Sequence, residues 1–397
     1  MSGAPNIYDV VIVGGGPAGA SAAIHLSKHG ARVLLAEQKR FPREKLCGEF
    51  ISPECLEHFE RLGVMQRMIE AGGAGLTETV FYSRSGKCVS VPSDWFGSAG
   101  ACALGLSRAE MDARLLERAR EAGAFVLEEA TSSGLLMKAG RVCGVRLKQN
   151  GGSREFSSLI TIDATGRSRQ LARRVEREEG SGRSAIIRRA PLVAFKAHLE
   201  NARGDSRHCE IYFYRHGYGG LSRVENGLSN LCFIASARDV RECGGDAERV
   251  MREVVMKNRR ASETLRESRV HSEWLAVALE GFGRRRVVPA GGLLAVGDAA
   301  SFIDPFTGSG MLMALESGEL AAQSVMRHLP TLRSNGSFDE LAREYRARYD
   351  QAFKNRLRVC ALMRRAAFVP RFAETLILAL KASSRARKRL ARSTRKS

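Results

Sequence analysis

The segment Gly14-Gly15-Gly16-Pro17-Ala18-Gly19 constrains this chain more than any other stretch. Before it, Tyr8–Val13 reads as a short buried strand, apolar without a break from Val10 to Val13. After it, Ala18–His29 reads as a helix of small residues stopped by Gly30, and Arg32–Ala36 as a second apolar strand closed by Glu37. Strand, glycine turn, helix and strand in this order predict a nucleotide-binding crossover. Gly14 permits the tight turn, Gly16 lets the backbone approach a pyrophosphate, and Gly19 lets the helix press on the strand. The helix N-terminus, with Pro17 and Ala18, offers unpaired N–H groups and positive potential. Glu37 and the adjoining Gln38 are expected at an adenosine ribose, where the Glu37 charge disfavours a 2′-phosphate. The motif predicts a bound dinucleotide.

Two further strands end in small-residue turns. Leu159–Asp163 runs into Ala164-Thr165-Gly166, and Leu293–Val296 into Gly297-Asp298-Ala299-Ala300. The second continues through Asp304-Pro305-Phe306-Thr307-Gly308-Ser309-Gly310 into a helix beginning near Met311. An acid on a glycine turn, then a helix start behind a proline, suits the far half of a long, extended cofactor. Asp298 is expected at ribityl hydroxyls. The N–H groups around Gly308, Ser309 and Gly310 are expected at the pyrimidine edge of a flavin, where the helix dipole stabilises the reduced anion. NAD alone would not need this second station.

The rest of the chain supplies other layers. Thr77–Ser83 with Lys87–Val91, and Arg141–Lys148 with Glu155–Ile162, alternate around turn residues and predict hairpins. Ser107–Ala122 predicts a helix. Leu192–Leu199, Cys209–Tyr214, Gly219–Val224 and Leu228–Ala235 predict an antiparallel meander, followed by a helix over Ala247–Asn258 and a strand over Trp274–Ala278. From Ser337 the chain reads as helical and Arg-rich. The expected organisation is a discontinuous nucleotide domain (1–75, 100–190 and 285–330), a substrate domain (76–99 and 191–284) and a helical C-terminal region (331–397).

Sixty-three Lys and Arg against 43 Asp and Glu give a formal charge of +20. Eight of the basic residues fall between Lys381 and Ser397, a stretch without an acid. Charge of this size suits nucleic acid, an anionic membrane face or an acidic substrate. No nucleic-acid motif accompanies it, so nucleic acid is not expected. Phe368–Lys381, with Phe372, Leu376, Ile377 and Leu380 beside the cationic tail, suits either an interfacial helix on anionic lipid or a docked helix with a solvated tail. Nine scattered cysteines without a C-x-x-C pair point to a reducing compartment and away from disulfides or metal. His25 and His29 lack a third ligand, and no metal is expected. Apolar runs fall short of the roughly 18 residues a spanning helix needs. The expected location is cytoplasmic, with peripheral contact at the inner membrane face an alternative.

Four segments resemble FAD-dependent oxidoreductases of the aromatic-hydroxylase, or group A flavin monooxygenase, superfamily, whose fold is of the glutathione-reductase type. They are Gly14–Gly19 with Glu37; Phe41-Pro42-Arg43-Glu44-Lys45-Leu46-Cys47-Gly48; Asp163–Gly166; and Gly297–Gly310 with Glu316-Ser317-Gly318. The second segment resembles the geranylgeranyl reductase-like branch in its Arg and Cys-Gly pair. Arg108, in Leu106-Ser107-Arg108-Ala109-Glu110, matches a helix-start Arg that contacts the cofactor in the superfamily. The resemblance implies an α/β fold: a discontinuous Rossmann-like FAD-binding domain, an antiparallel substrate-domain sheet and a helical C-terminal extension. It also implies FAD held by the residues named above together with Arg43, Cys47, Gly48, Arg108, Asp163, Ala164, Thr165 and Gly166. Where the reductase branch carries a Tyr-x-Trp-x-Phe-Pro segment, this chain reads Gly217-Tyr218-Gly219-Gly220-Leu221-Ser222-Arg223. The Trp-x-Trp-x-Ile-Pro segment of the flavin halogenases is also missing.

What the resemblance implies for chemistry is an apolar, lipid-like or aromatic substrate and NAD(P)H as a transient electron donor. The flavin N5 delivers hydride to a C=C bond in one version. In the alternative, a C4a-hydroperoxide hydroxylates an aromatic or polyketide ring; a relay of electrons without turnover of an organic substrate is the third reading. Cys47 is a candidate proton donor or a shaping residue. Tyr212 and Tyr214 share one face of a strand expected over the flavin, near Tyr218 and His216, and are candidates to touch substrate.

Overall fold

A computed structural model describes residues 7–98, 100–179, 192–367 and 370–393. The first apolar run forms the strand Ile7–Val13, buried from Tyr8 onward. Both its edges are paired, parallel to Val33–Ala36 on one side and to Gly152–Asp163 on the other, and its two faces enter separate cores, Val10 and Ile12 in one and Val11 and Val13 in the other. Phe125–Leu127 extends the sheet beyond Val33–Ala36. The long strand Gly152–Asp163 carries two partners on its other edge. Its first half pairs antiparallel with Arg141–Gln149, itself paired with Thr131–Lys138, and its last residues pair in parallel with Leu293–Ala295. Val13 is in register with Asp163, and Asp163 with Ala295. Three parallel strands therefore end level, and their small-residue turns emerge side by side, where open α/β sheets bind ligands.

The helix Pro17–Lys28 lies against the helix Gly310–Arg333, and small residues set their spacing. A Cβ on Gly318 would stand 2.3 Å from the Ala18 carbonyl oxygen. Ser21 donates to the Leu315 carbonyl at 3.0 Å, and Ser317 Oγ accepts from the Gly297 N–H at 2.9 Å. One helix thus abuts both glycine turns. It runs on to Arg333, so an expected boundary at 330 falls inside it.

A second sheet of eight strands lies beyond, and here the expected meander is corrected. Leu192–Glu200 pairs with Ser229–Ser236, which pairs with Gly217–Arg223 and then His208–Tyr214. The free edge of His208–Tyr214 is taken by Glu78–Tyr82, in parallel, with Cys88–Pro92 outside it. The hairpin from the first hundred residues thus occupies the place that a simple meander would give to Leu192–Glu200. Leu275–Leu279 pairs on the far side of Leu192–Glu200. Thr131–Lys138, for which the sequence predicts no element, is an edge strand, half exposed and without clear alternation. The helix expected through Asn258 stops at Glu253, because Asn258 caps the next helix, its side chain accepting from the Ala261 N–H.

Helices Asp339–Ala367, Pro370–Ala382 and Ser384–Ser393 follow. Of the expected interfacial segment, Phe368 and the side chains of Phe372 and Leu376 lie outside what is described, as do residues 1–6, 99, 180–191 and 394–397 of the expected domains and tail. No helix among the described residues is long and apolar enough to cross a membrane.

Candidate active site

The three turns open onto one cavity of about 640 Å³. Most of the residues expected at a cofactor line it: Gly14, Gly16, Pro17, Ala18, Glu37, Gln38, Arg43, Cys47, Gly48, Arg108, Ala164, Thr165, Gly166, Gly297, Asp298, Pro305, Gly308, Gly310 and Met311. Gly16 is open: a Cβ there would meet only the Arg108 and Arg43 guanidinium groups, each at 3.8 Å. The helix behind it has no side-chain cap, so its first N–H groups are left for a ligand. The helix from Gly310 is likewise uncapped by a side chain at its cavity end.

Three expected residues have other work. A Cβ on Gly19 would stand 1.9 Å from the Gly14 carbonyl oxygen, so this glycine serves the close helix–strand contact. Asp163 is fully buried, its carboxylate accepting from Thr165 Oγ1 at 2.6 Å and from the N–H groups of Thr165 and Ala172 at 3.0 and 2.9 Å. It braces the turn and the helix Gln170–Glu178 and does not face the cavity; burial nevertheless pushes its carboxyl up, against those hydrogen bonds. Ser309 is fully buried at the helix start and is not part of the lining. These are corrections to a ligand role. Glu37 does face the cavity, and it also braces the turn: its carboxylate accepts from the Gly15 N–H at 2.8 Å and the Lys39 N–H at 3.0 Å.

Positive charge gathers where the turns meet. Asp112, buried one turn along the helix Arg108–Glu121, takes a two-pronged hydrogen bond from Arg108 at 2.9 and 2.7 Å. Arg43 Nη1 lies 3.0 Å from the same carboxylate, yet this buried atom has no aligned hydrogen-bond acceptor among the described residues. Burial works against the Arg108 charge, but Asp112 and the Cys47 sulfur together raise its pKa. Lys45 and Arg167, neither singled out as a ligand from sequence, also line the wall. Burial lowers the pKa of Lys45, and Arg108, Arg43 and Arg167 push the same way. Burial likewise lowers Arg167 and raises Asp298, which oppose one another's shifts as countercharges. A donor left without an acceptor, an uncapped helix and crowded cations fit a pyrophosphate.

The other half of the cavity is apolar, with Phe81, Ile211, Phe213, Ile234 and Leu279 from the second sheet and Ile377 and Leu380 from the C-terminal helices. Residues 209, 211 and 213 face it, so Tyr212 and Tyr214 point to the opposite side. Both are buried in a separate core; Tyr212 donates to Glu210 at 2.8 Å and Tyr214 to the Ile234 carbonyl at 2.9 Å. This corrects their expected substrate contact: the two tyrosines share one face of the strand, and that face packs into the core away from the cavity. Tyr218 lines the cavity and donates to Asp304. Tyr214→Phe is accordingly expected to leave turnover of any substrate unchanged within about twofold, while costing about 1 kcal/mol of stability for the lost hydrogen bond; steady-state rates and a urea titration check both.

A buried ionic cluster joins the loop after Arg43 to the second sheet. Lys196, 1% exposed, donates to Glu44 and, at 2.7 Å, to Glu49, and His198 meets the other Glu49 oxygen at 2.7 Å. Glu49 also accepts from the Arg108 N–H at 2.8 Å. Burial opposes the charge of Glu49, yet His198 and Lys196 hold its carboxyl below the usual range; burial opposes Lys196 too, and Glu49 with Glu44 raise it. Ligand atoms of Glu44, Glu49 and His198 lie within 4.8 Å of one another, a spacing that suits a metal ion, but the Lys196 ammonium already bonds both carboxylates. The available signal is Lys196 and His198, two apart on one face of a strand whose other residues from Leu192 to Leu199 are apolar.

Comparison with known proteins bears on what fills this cavity. A family model described as an FAD binding domain matches residues 7–352. The chain belongs to this FAD-binding family. It is an FAD-dependent oxidoreductase, with the α/β fold and second sheet that the resemblance implied. It is similar to digeranylgeranylglycerophospholipid reductase 2 of Methanopyrus kandleri, 27% identical over 87% of this chain and 83% of that one. It is also similar to menaquinone reductase of Mycolicibacterium smegmatis, 28% identical over 79% and 75% of the two chains. A solved flavin-dependent brominase shares the fold, with a TM-score of 0.79 and 20% identity over 98% and 94% of the chains.

Proposed function

We propose that this FAD-binding protein reduces a C=C bond in an apolar, isoprenoid-like chain. The observation that carries the reading is the continuity of the cavity, from cationic glycine turns to a wall of Phe, Ile and Leu side chains. Relatives named for reduction of a digeranylgeranyl lipid and of menaquinone support the same substrate class.

In this reading the N–H groups at Gly16–Ala18, with Arg43 and Arg108, hold the FAD pyrophosphate. Glu37 meets the adenosine ribose, Asp298 the ribityl chain, and the helix start at Gly308–Met311 the pyrimidine edge. Bound FAD, once reduced, supplies the hydride. The chain's own part is to align the alkene, exclude water with Phe81, Phe213 and Leu279, and provide the balancing proton. We assign that proton to the Cys47 thiol, which lines the cavity and whose sulfur accepts from the Glu49 N–H at 3.4 Å. NAD(P)H is the proposed transient donor.

The test is anaerobic. FAD-loaded protein bleached by NADPH, or by dithionite, is mixed with a geranylgeranyl lipid; recovery of the yellow colour with gain of two hydrogens in the lipid supports the reading. Recovery that needs oxygen and yields a hydroxylated ring favours the monooxygenase alternative, and recovery without product favours a relay. Cys47→Ala is expected to slow the lipid-dependent step about a hundredfold with FAD retained, the usual scale for a general acid; an unchanged single-turnover rate removes Cys47 from that role.

A further inference from the structure

The two C-terminal helices form one wall of the cavity and carry its densest positive charge. On Ser384–Ser393, Arg387, Leu390 and Ala391 recur at one-turn spacing and line the cavity, whereas Arg385 and Arg389 are exposed and do not line it. Arg387 and Lys388 lie over the Trp95 ring at 5.4 and 5.8 Å, and Arg392 donates to the Trp95 carbonyl at 3.1 Å, which fixes the helix to the rim. Between residues 381 and 393 there are six Lys and Arg side chains and no acid, and none pairs with a carboxylate among the described residues. Leu362, on the helix Asp339–Ala367, lines the cavity and is 68% exposed; Leu378, on the helix that leads into Ser384–Ser393, is 46% exposed.

We infer that this rim is a docking surface for an anionic bilayer, which passes an apolar chain from the membrane directly into the cavity. The inference rests on the proposed lipid substrate and adds its route. Exposed cations without a carboxylate partner suit a dense array of lipid phosphates, and exposed leucines on the two preceding helices suit the acyl boundary. An apolar molecule that left the bilayer through water would expose its whole length, whereas a mouth pressed on the interface avoids that step.

The test uses the full FAD-loaded chain and vesicles of phosphatidylcholine alone or with about one-third phosphatidylglycerol. Co-sedimentation is expected to be at least about tenfold stronger on the anionic vesicles and to fall away near 0.5 M NaCl, as screening requires. The triple change Lys381→Gln, Arg385→Gln, Arg389→Gln is expected to abolish that preference, with the flavin spectrum and the turnover of detergent-dispersed lipid retained. Equal sedimentation on both vesicles, a preference untouched by the triple change, or tighter retention on duplex DNA at the same salt overturns the docking surface. Vesicle binding as expected with no turnover in detergent would instead count against the proposed substrate and leave the surface standing.

Discussion

Gly16→Val yields a folded protein that is colourless as purified and takes up added FAD at least about a hundredfold more weakly. The reason is local. A side chain at Gly16 meets no backbone, only the ends of Arg43 and Arg108 at 3.8 Å, so the fold accepts it. It occupies the space through which the turn must approach a pyrophosphate. Gly19→Val, three residues on, behaves differently: its Cβ falls 1.9 Å from the Gly14 carbonyl oxygen, so helix and strand must part and the chain is lost to aggregation. Far-ultraviolet circular dichroism and FAD fluorescence quenching separate the two. If Gly16→Val binds FAD as the parent does, the glycine turn is not the cofactor's cradle and the site assignment falls with it.

Lys196→Met costs about 3–5 kcal/mol of stability at neutral pH, the scale for removing one partner of a buried ion pair. Glu49 is fully buried and keeps its charge in part because this ammonium lies 2.7 Å away. The pH dependence has a definite sign. A carboxyl held below its usual range stabilises the fold above the ordinary carboxylate pKa, and that stability is lost as pH falls through the folded value. Removing Lys196 removes much of the lowering, so the deficit is largest at neutral pH and narrows toward acid. Urea midpoints at neutral and acid pH measure it; a deficit that widens on acidification would contradict the assignment. Because Glu49 also accepts from the Arg108 N–H, FAD affinity is expected to fall with stability.

What was legible from sequence follows from how local each constraint is. The glycine turns announce themselves because a tight turn, a close helix and an approaching phosphate each exclude a side chain at a fixed position. Three strands ending level could be anticipated because each runs into such a turn. The side of a strand that faces ligand is a different matter. Tyr212 and Tyr214 alternate correctly, but parity alone does not say which face the cavity lies on; the register with Glu78–Tyr82 and the packing of Ile211 and Phe213 decide it. Lys196 was hidden for a similar reason. A lysine in a strand reads as solvent-facing until its partners, Glu44 and Glu49, arrive from a loop about 150 residues earlier. The C-terminal helices were legible as helices, and their place in the cavity wall was not, since that contact depends on long-range packing.

The parallel seam between Glu78–Tyr82 and His208–Tyr214 has a consequence for anyone wishing to dissect this protein. No fragment confined to the later part of the chain contains the whole second sheet, so a piece starting near residue 192 would bare the flank of His208–Tyr214, a ready template for other chains. On the ribosome, too, the early hairpin must wait for more than a hundred further residues before its neighbour exists. Halves of this enzyme cannot be shuffled as cassettes; any chimera has to carry both pieces of the seam from one parent.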